Sequence, residues 1–324
     1  MTIITLTELT RDIKDFLEFK RAMGYSYHRG EFTLESLKRF ARSPPIRGNR
    51  SRIDLEEMVK AWLARPGSRK ANSIASEFGT IRQLCLYRCR RDPGAFVPDV
   101  DWAPKRKLPF TPYVFSRKEV NQLLRAAERY RHANVGPELM RTLLLILYCT
   151  GLRFGEAVRL QLPDVDLSQR TFFIRDSKGR TRYVPFGEDL YRELANWFSK
   201  RQRIVSSRGA TRTDAIFLRN DGRVLDIKRA WEAVTRLVRL EGLKPSRGRA
   251  GPRPYDWRHT HAVHRLTEWY RKGVDVQARL PWLSSYMGHL NVLGTSVYLH
   301  ATPQLLRLAS RRLQRRLNLV EFRS

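Results

Sequence analysis

A chain of 324 residues is long enough for two domains, and its 42% hydrophobic content can fill sizeable cores, which excludes a generally disordered protein. Its 62 Lys and Arg residues against 32 Asp and Glu residues give a formal net charge of +30, and the basic residues are spread along the whole sequence. This charge predicts a polyanionic partner, most simply nucleic acid, in preference to a basic surface that binds nothing.

The cysteines and the apolar runs exclude further classes of protein. Cys85, Cys89 and Cys149 form neither a disulfide framework nor a zinc-binding pattern. The longest apolar run, at 143–149, is too short to span a membrane, and the N-terminus lacks the pattern of a signal peptide. We therefore expect a cytoplasmic protein, associated with the nucleoid if its partner is DNA.

The first hundred residues predict four helices. Thr5 and Glu8 have the spacing of a capping box and start the first helix. The second covers residues 33–41, Asp54 opens the third, and an apolar stripe along residues 74–85 marks the fourth. These patterns indicate a helical bundle.

Two basic groups in this half are the candidate nucleic-acid contacts. One lies just before and along the fourth helix, where phosphates could meet side chains and helix N-terminal N–H groups. The other lies in a proline-rich stretch at 92–112, which predicts a linker. Taken alone, the first group could be a solvated face, but the overall charge favours binding. The second group fits a linker that crosses a nucleic-acid backbone and equally fits an exposed strap between domains. The candidate residues are Arg69, Lys70, Asn72 and Arg82 in the first group and Lys105, Arg106 and Lys107 in the second.

The second half opens with two helices. Ser116 and Glu119 have capping-box spacing, and a more apolar helix from Gly136 to Cys149 ends at Gly151. Further along, the patterns predict helices at 188–203 and 226–241, a short strand at 215–218 and a Gly/Pro/Arg-rich loop at 244–254. The segment 255–259 follows this loop, and after it a helix is predicted to run to about Lys272.

A β-hairpin lies between these helices. Aromatic and β-branched residues at 171–175 and 181–185 flank a turn that contains Lys178. A lysine at a hairpin tip is usually solvated, but a rigid tip can also deliver its amine to a DNA groove or a reacting phosphate. The hairpin therefore makes Lys178 a candidate functional residue.

Tyr298, near the C-terminus, is the candidate nucleophile. A tyrosine hydroxyl attacks an electrophile only where neighbours deal with its proton and with the product charge. Upstream, Arg153, Lys178, Arg258 and His289 could supply these functions in a phosphate site without metal. The alternative for Arg153 is a structural ion pair with Glu156, and the pattern leaves both open.

The ordered motifs resemble those of the tyrosine recombinases, also called phage integrases. They are Thr-Gly-Leu-Arg-x-x-Glu at 150–156, the hairpin Lys-Gly, Arg-His-Thr at 258–260, Met-Gly-His at 287–289 and Thr-x-x-Tyr-x-His at 295–300. The resemblance covers nearly the whole chain. It implies a mainly α fold with a small β-hairpin or sheet in the catalytic domain.

The resemblance also implies a domain organisation. Residues 1–97 would form a helical core-binding domain, 98–112 a basic linker and 113–302 the catalytic domain. A helical tail at 303–324 would either dock on a neighbouring protomer or fold back onto its own domain or onto DNA.

By the same resemblance, each candidate receives a role. Tyr298 would attack the DNA phosphodiester, Arg153 and Arg258 would hold its nonbridging oxygens, and Lys178 would protonate the leaving 5′ oxygen. His289 would donate to the phosphate, and a supporting role would fall to Glu156, His259 and His300.

One position departs from the family pattern. Tyr255 lies three residues before Arg258, where the family most often has histidine. Neutral tyrosine is a poor base at pH 7, but its phenol can still donate a hydrogen bond to the phosphate or orient the nucleophile. We therefore expect Tyr255 to belong to the site and activity to survive, at a reduced rate.

The implied activity is site-specific DNA recombination through a covalent 3′-phosphotyrosyl intermediate, for a mobile genetic element that integrates, excises or transposes. The implied partner is double-stranded DNA with specific sites, bound by a dimer on each site and a tetramer in the synapse, alone or with sister recombinases. No cofactor and no metal are expected. Two alternatives are a type IB topoisomerase and a catalytically silent DNA-binding protein of the same fold.

Overall fold

The chain divides into two units, Met1–Phe110 and Thr111–Ser324, each with its own hydrophobic core. The computed structural model describes residues 3–43, 52–67, 69–105, 112–132, 134–175, 177, 180–208, 213–300 and 303–321. Within these residues, no helix combines the length and the apolar character needed to cross a membrane.

The first unit is a helical bundle with one short pair of strands. Its four predicted helices are confirmed, and the second begins five residues earlier than the sequence pattern predicts. The elements are β1 (Ile3–Thr5), α1 (Leu6–Ala22), α2 (His28–Ala41), β2 (Arg52–Asp54), α3 (Leu55–Ala64) and α4 (Ala71–Arg88), followed by a 3-10 turn at Val100–Trp102.

Side-chain caps start two of these helices. Thr5 and Glu8 form both hydrogen bonds of a capping box, and Asp54 accepts hydrogen bonds from the first backbone N–H groups of α3. The strands β1 and β2 that precede these helices pair antiparallel, with Thr5 opposite Arg52 and Asp54 opposite Ile3. The core beneath them contains Phe16 and Trp62, each 1% exposed.

The second unit contains nine helices among the residues described. They are α5 (Arg117–Glu128), α6 (Pro137–Thr150), α7 (Phe154–Val158), α8 (Glu188–Arg208), α9 (Ile227–Leu240), α10 (Asp256–Arg271), α11 (Val276–Met287), α12 (Leu293–Ser296) and α13 (Pro303–Glu321), with 3-10 turns at Leu162–Asp164 and Val297–His300. Because α6 packs against α5, α8 and α10, it is the central helix of this unit.

A three-stranded antiparallel sheet carries the predicted hairpin. Strands β4 (Thr171–Ile174) and β5 (Arg182–Pro185) confirm the hairpin, and β3 (Val165–Asp166) pairs with the other edge of β4. The predicted strand at 215–218 is wrong. Those residues form only isolated bridges, and their apolar run reflects complete burial at 216–218.

The helix α6 ends where the first arginine motif begins. Gly151 has φ = +61°, and a Cβ there would lie 2.6 Å from the ring of His261. Only glycine fits both the left-handed backbone and this close contact. The turn leads directly into Arg153, the residue that caps α7.

A separate apolar cluster surrounds the C-terminal helices. Met287, Tyr298 and Leu305 pack with residues of α10 and α11, and Leu305 is fully buried. The first turns of α13 therefore fold back onto their own unit. Leu313, farther along the same helix, is 59% exposed.

Candidate active site

Arg153 lies at the start of α7 and faces the turn that follows α11. Its Nη1 donates to Glu156 Oε1 at 2.6 Å and to Ser177 Oγ at 3.2 Å. Its Nη2 donates to the carbonyl of Gly288 at 2.6 Å. The ion pair with Glu156 is therefore present, and the same guanidinium also reaches the Met-Gly-His motif.

Arg258 lies beneath the same turn, with 4% of its surface exposed. It donates to the carbonyls of Gly151 at 2.7 Å and Met287 at 2.6 Å. Its Nη2 also lies 2.9 Å from His289 Nε2. Burial lowers the pKa of Arg258 to about 10, so the group stays charged at neutral pH.

Tyr298 is 4% exposed and lies between two histidine rings. The ring centroid of His259 is 5.3 Å from that of Tyr298, and the centroid of His289 is 6.0 Å away. Burial raises the pKa of Tyr298, while the charge of Arg258 and a hydrogen bond from it act in the opposite direction. The hydroxyl is therefore protonated at neutral pH and lies in a positive field.

His289 is held in one orientation. Its Nδ1 lies 2.6 Å from Thr295 Oγ1, and its Nε2 faces Arg258. Burial lowers the pKa of His289 to about 4, and the charges of Arg258 and Arg153 add to the effect. A neutral imidazole next to Arg258 accepts a hydrogen bond from the guanidinium at Nε2 and donates one from Nδ1 to the hydroxyl of Thr295.

Glu156 is the carboxylate of this cluster, and its side chain is 2% exposed. It accepts hydrogen bonds from the backbone and guanidinium of Arg153, from the hydroxyl of Ser177 and from both terminal nitrogens of Arg182. Burial raises the pKa of Glu156, but the hydrogen bonds from Arg182 and Ser177 outweigh it and lower that pKa to about 2. Sequence reasoning missed Arg182 and Ser177.

A periodicity signal for Arg182 was available in the sequence. Along β5, Val184 is buried while Tyr183 and Pro185 are exposed, so Arg182 shares the face of Val184. An arginine on the buried face of a strand needs a carboxylate or carbonyl partner. That alternation could have identified it.

The remaining catalytic candidates are Tyr255, His259, Lys178 and His300, and the structure describes the side chains of the first two. Tyr255 precedes the first residue of α10 and is 40% exposed. Burial lowers the pKa of His259, whose buried Nδ1 has no hydrogen-bond partner among the described residues. Lys178 and the side chain of His300 lie outside the described residues.

The predicted DNA contacts of the first unit differ in their environment. The guanidinium of Arg69 pairs with Glu77 at 3.1 Å and donates to the end of α3, and Arg82 Nε donates to the Pro98 carbonyl at 3.1 Å. Their role in binding DNA stays a prediction. Lys70, Asn72 and Lys105 are exposed, and Arg106 and Lys107 lie outside the described residues.

Among the residues described, no three His, Cys, Asp or Glu side chains are grouped closely enough to hold a metal ion. The cluster instead combines three guanidinium groups, one carboxylate and a tyrosine. Such a set can bind a phosphodiester and present a nucleophile to it.

Comparison with known proteins gives the family. Residues 114–304, more than half of the chain, match the model of the phage integrase family. The chain belongs to this family. It is a site-specific DNA recombinase, and the predicted family, fold class and enzyme class are confirmed.

Two relatives and one solved structure illustrate the similarity. The recombinase is 31% identical over 312 residues to y4rB of Sinorhizobium fredii, a protein named as an integrase/recombinase. The alignment covers 94% of this chain and 96% of that protein. It is 26% identical over 242 residues to tyrosine recombinase XerC of Staphylococcus aureus, covering 74% of this chain and 73% of that protein. The Tn1549 transposon integrase, solved in complex with transposon right end DNA, has a TM-score of 0.64 at 19% identity, covering 96% of this chain and all of that one.

Proposed function

We propose that this recombinase cuts and rejoins DNA through Tyr298, whose hydroxyl attacks a phosphodiester and becomes linked to the 3′ phosphate. Arg153 and Arg258 bind the nonbridging oxygens, and His289 supports the same phosphate. Lys178 protonates the leaving 5′ oxygen. Glu156 orients the first arginine.

The position of Arg258 carries this proposal. Its buried guanidinium lies 2.9 Å from His289 Nε2, and it acts on the hydroxyl of Tyr298 by charge and by a hydrogen bond. One cation is thus next to both the nucleophile and His289. A fixed donor at this place stabilises the transition state by roughly 3–4 kcal/mol, as in other sites where charge develops on oxygen.

The proposed step is balanced without a co-reactant. The phenol oxygen forms a bond to phosphorus as the bond from phosphorus to the 5′ oxygen breaks. The phenol proton passes to solvent water, Lys178 gives a proton to the 5′ oxygen, and Lys178 is reprotonated from solvent. Because the phosphotyrosine conserves the energy of the broken bond, attack by a 5′ hydroxyl can rejoin the strand.

We propose specific paired sites on the DNA of a mobile element as the substrate, with a dimer on each site and a tetramer in the synapse. The net charge of +30 supports extended contact with DNA. The similarity to a transposon integrase solved with transposon end DNA supports a substrate of that class.

The test uses a duplex with a nick close to the scissile phosphate, taken from DNA that flanks the gene. The short 5′ fragment diffuses away after cleavage, so the covalent adduct accumulates and is measured on a denaturing gel. We expect wild-type protein to form an adduct and Tyr298→Phe to form none. Specific binding of this DNA by wild type without any adduct would favour a catalytically silent DNA-binding protein.

The same assay measures the departure at Tyr255. Tyr255→His places the usual family residue three positions before Arg258. We expect cleavage to become faster, by up to about 100-fold, the lower range of general acid–base catalysis. An unchanged rate would mean that Tyr255 already supplies the function of that histidine or that the position has none.

A further inference from the structure

Five successive backbone carbonyls at the end of α11 are each bound by an arginine. This stretch begins in the last turn of the helix and continues past His289. The pairs are Arg182 Nε with the Tyr286 carbonyl at 2.9 Å, Arg258 Nη2 with Met287 at 2.6 Å, Arg153 Nη2 with Gly288 at 2.6 Å, and Arg180 with His289 at 3.0 Å and Leu290 at 3.2 Å.

The end of a helix explains why arginines gather there. The last carbonyls of a helix lack partners within the helix, and the helix dipole places partial negative charge at this end. The turn itself is closed by Gly288 in the left-handed region, with φ = +68°. Guanidinium groups satisfy the carbonyls and are oriented by them.

Arg182 has a different place in this arrangement from Arg153 and Arg258. Each of its three guanidinium nitrogens is engaged within the protein. Nε binds the Tyr286 carbonyl, and Nη1 and Nη2 bind the two oxygens of Glu156 at 3.2 and 2.8 Å. Its side chain is 9% exposed. Arg182 therefore lies next to the phosphate site with all three of its nitrogens bound to acceptors of the protein.

The contacts of Arg182 link three segments of the chain. Through Glu156 it is connected to Arg153, and through Tyr286 to the turn that carries His289. The hydroxyl of Tyr286 also donates to the carbonyl of Pro185 at 3.0 Å, which fastens the end of α11 to β5 a second time. The hairpin strand, the start of α7 and the end of α11 thus share one buried connection.

We propose that Arg182 is a positioning residue for strand cleavage. It acts through Glu156 on the orientation of Arg153 and through the Tyr286 carbonyl on the place of His289. The inference rests on the proposed function, because it assigns Arg182 to the same phosphate site.

Geometry and charge make different predictions for Arg182→Lys. Lysine keeps the positive charge beside Glu156 but is a single ammonium, so it cannot bind both carboxylate oxygens and the Tyr286 carbonyl with the geometry of a guanidinium. If Arg182 acts by position, Arg182→Lys is nearly as impaired as Arg182→Ala. If it only adds to the positive field, Arg182→Lys cleaves at close to the wild-type rate.

The experiment is a double-mutant cycle on the nicked duplex, at saturating DNA and single turnover. We expect Arg182→Ala to slow adduct formation by about 100-fold, as a misplacement of about 1 Å can do. In an Arg153→Ala background we expect the same change to cost less than about fivefold, because its main target is already gone. Equal costs in the two backgrounds would overturn the connection through Arg153.

Arg141→Ala is the control for general loss of stability. Arg141 also holds two carboxylates, those of Glu193 and Glu128, and neither of these belongs to the site. We expect it to cleave at the wild-type rate. Circular dichroism reports folding, and Arg182→Lys carries the test if Arg182→Ala does not fold.

The two proposals fail in different ways. Absence of a wild-type adduct contradicts the function proposed for Tyr298. A wild-type adduct together with undiminished cleavage by folded Arg182→Ala or Arg182→Lys overturns only the positioning role of Arg182.

Discussion

Replacing Glu156 by glutamine tests the charge balance beneath the phosphate site. In the folded protein the pKa of Glu156 lies at about 2, against 4.5 for an ordinary glutamate. A difference of about 2.5 pKa units corresponds to roughly 3 kcal/mol of folding stability, at about 1.4 kcal/mol per unit. We therefore expect Glu156→Gln to lower the free energy of unfolding at pH 7 by about 3 kcal/mol, within the usual cost of removing one partner of a buried ion pair.

The sign of the pH dependence follows from the lowered pKa. The contribution of Glu156 is complete above pH 4.5 and is lost as pH falls towards the folded-state pKa of about 2. By pH 3 about 2 of the roughly 3 kcal/mol should be gone. Urea unfolding of wild type and Glu156→Gln, followed by circular dichroism at pH 7, 5, 4 and 3, should show a difference that shrinks as the pH falls.

Glu188→Gln is the matched control. Glu188 pairs with Arg170 at 2.7 Å and Arg192 at 3.2 Å, but its side chain is 41% exposed, so we expect a change below about 1 kcal/mol at pH 7. A Glu156→Gln deficit that is equally large at pH 3 and pH 7 would refute the reasoning, since it would come from lost packing and not from the carboxylate charge.

Three further predictions concern stability elsewhere in the second unit. Leu305→Ala should lower the free energy of unfolding by about 2–5 kcal/mol in urea, because the side chain is fully buried, whereas exposed Leu313→Ala should change it by less than about 0.5 kcal/mol. Gly288→Ala should cost at least about 1–2 kcal/mol and also slow adduct formation, because φ is +68° and the new Cβ would lie 2.8 Å from a guanidinium nitrogen. Gly242→Ala, with φ = +73° and open space around it, should show the backbone cost without the slower cleavage. Lys244→Met should cost about 1–3 kcal/mol, because the buried ammonium donates to three carbonyls of the Arg-rich loop; no loss of stability would contradict that role.

The elements that the sequence predicts well are those whose signals are local. Thr5 with Glu8 and Ser116 with Glu119 form the capping boxes that start α1 and α5, and each box lies within four residues. The hairpin is equally local, since β4 and β5 pair directly across their turn. In these places propensity and tertiary structure favour the same conformation.

The elements that the sequence does not reveal depend on distant partners. β1 pairs with β2 about fifty residues later, and three-residue strands carry too little alternation to be recognised. Helix α11 contains Pro281 and lacks a regular apolar stripe, so its pattern does not predict a helix. Its position comes from packing in the cluster around Met287 and Leu305.

The residues of the candidate site divide in the same way, into those with a signal in the sequence and those that depend on distant partners. Motif spacing identifies Arg153, Arg258, His289 and Tyr298, which the fold brings together from separate segments. It does not identify Arg182, because the partner carboxylate lies 26 residues earlier in the chain and the contact exists only in the folded protein.

The way the arginines are held keeps the cluster positive, as the proposed phosphate site requires. Arg153 and Arg182 share a single carboxylate, that of Glu156, and most of the other contacts of these two arginines and of Arg258 are neutral carbonyls. A carboxylate for each arginine would orient the guanidinium groups equally well, but it would cancel the charge that a phosphodiester needs. Carbonyls at a helix end provide orientation with only partial negative charge. Burial raises the pKa of Tyr298, and the charge of Arg258 and Arg153 opposes that rise, so the arrangement proposed to bind the phosphate also favours the phenolate of the proposed nucleophile.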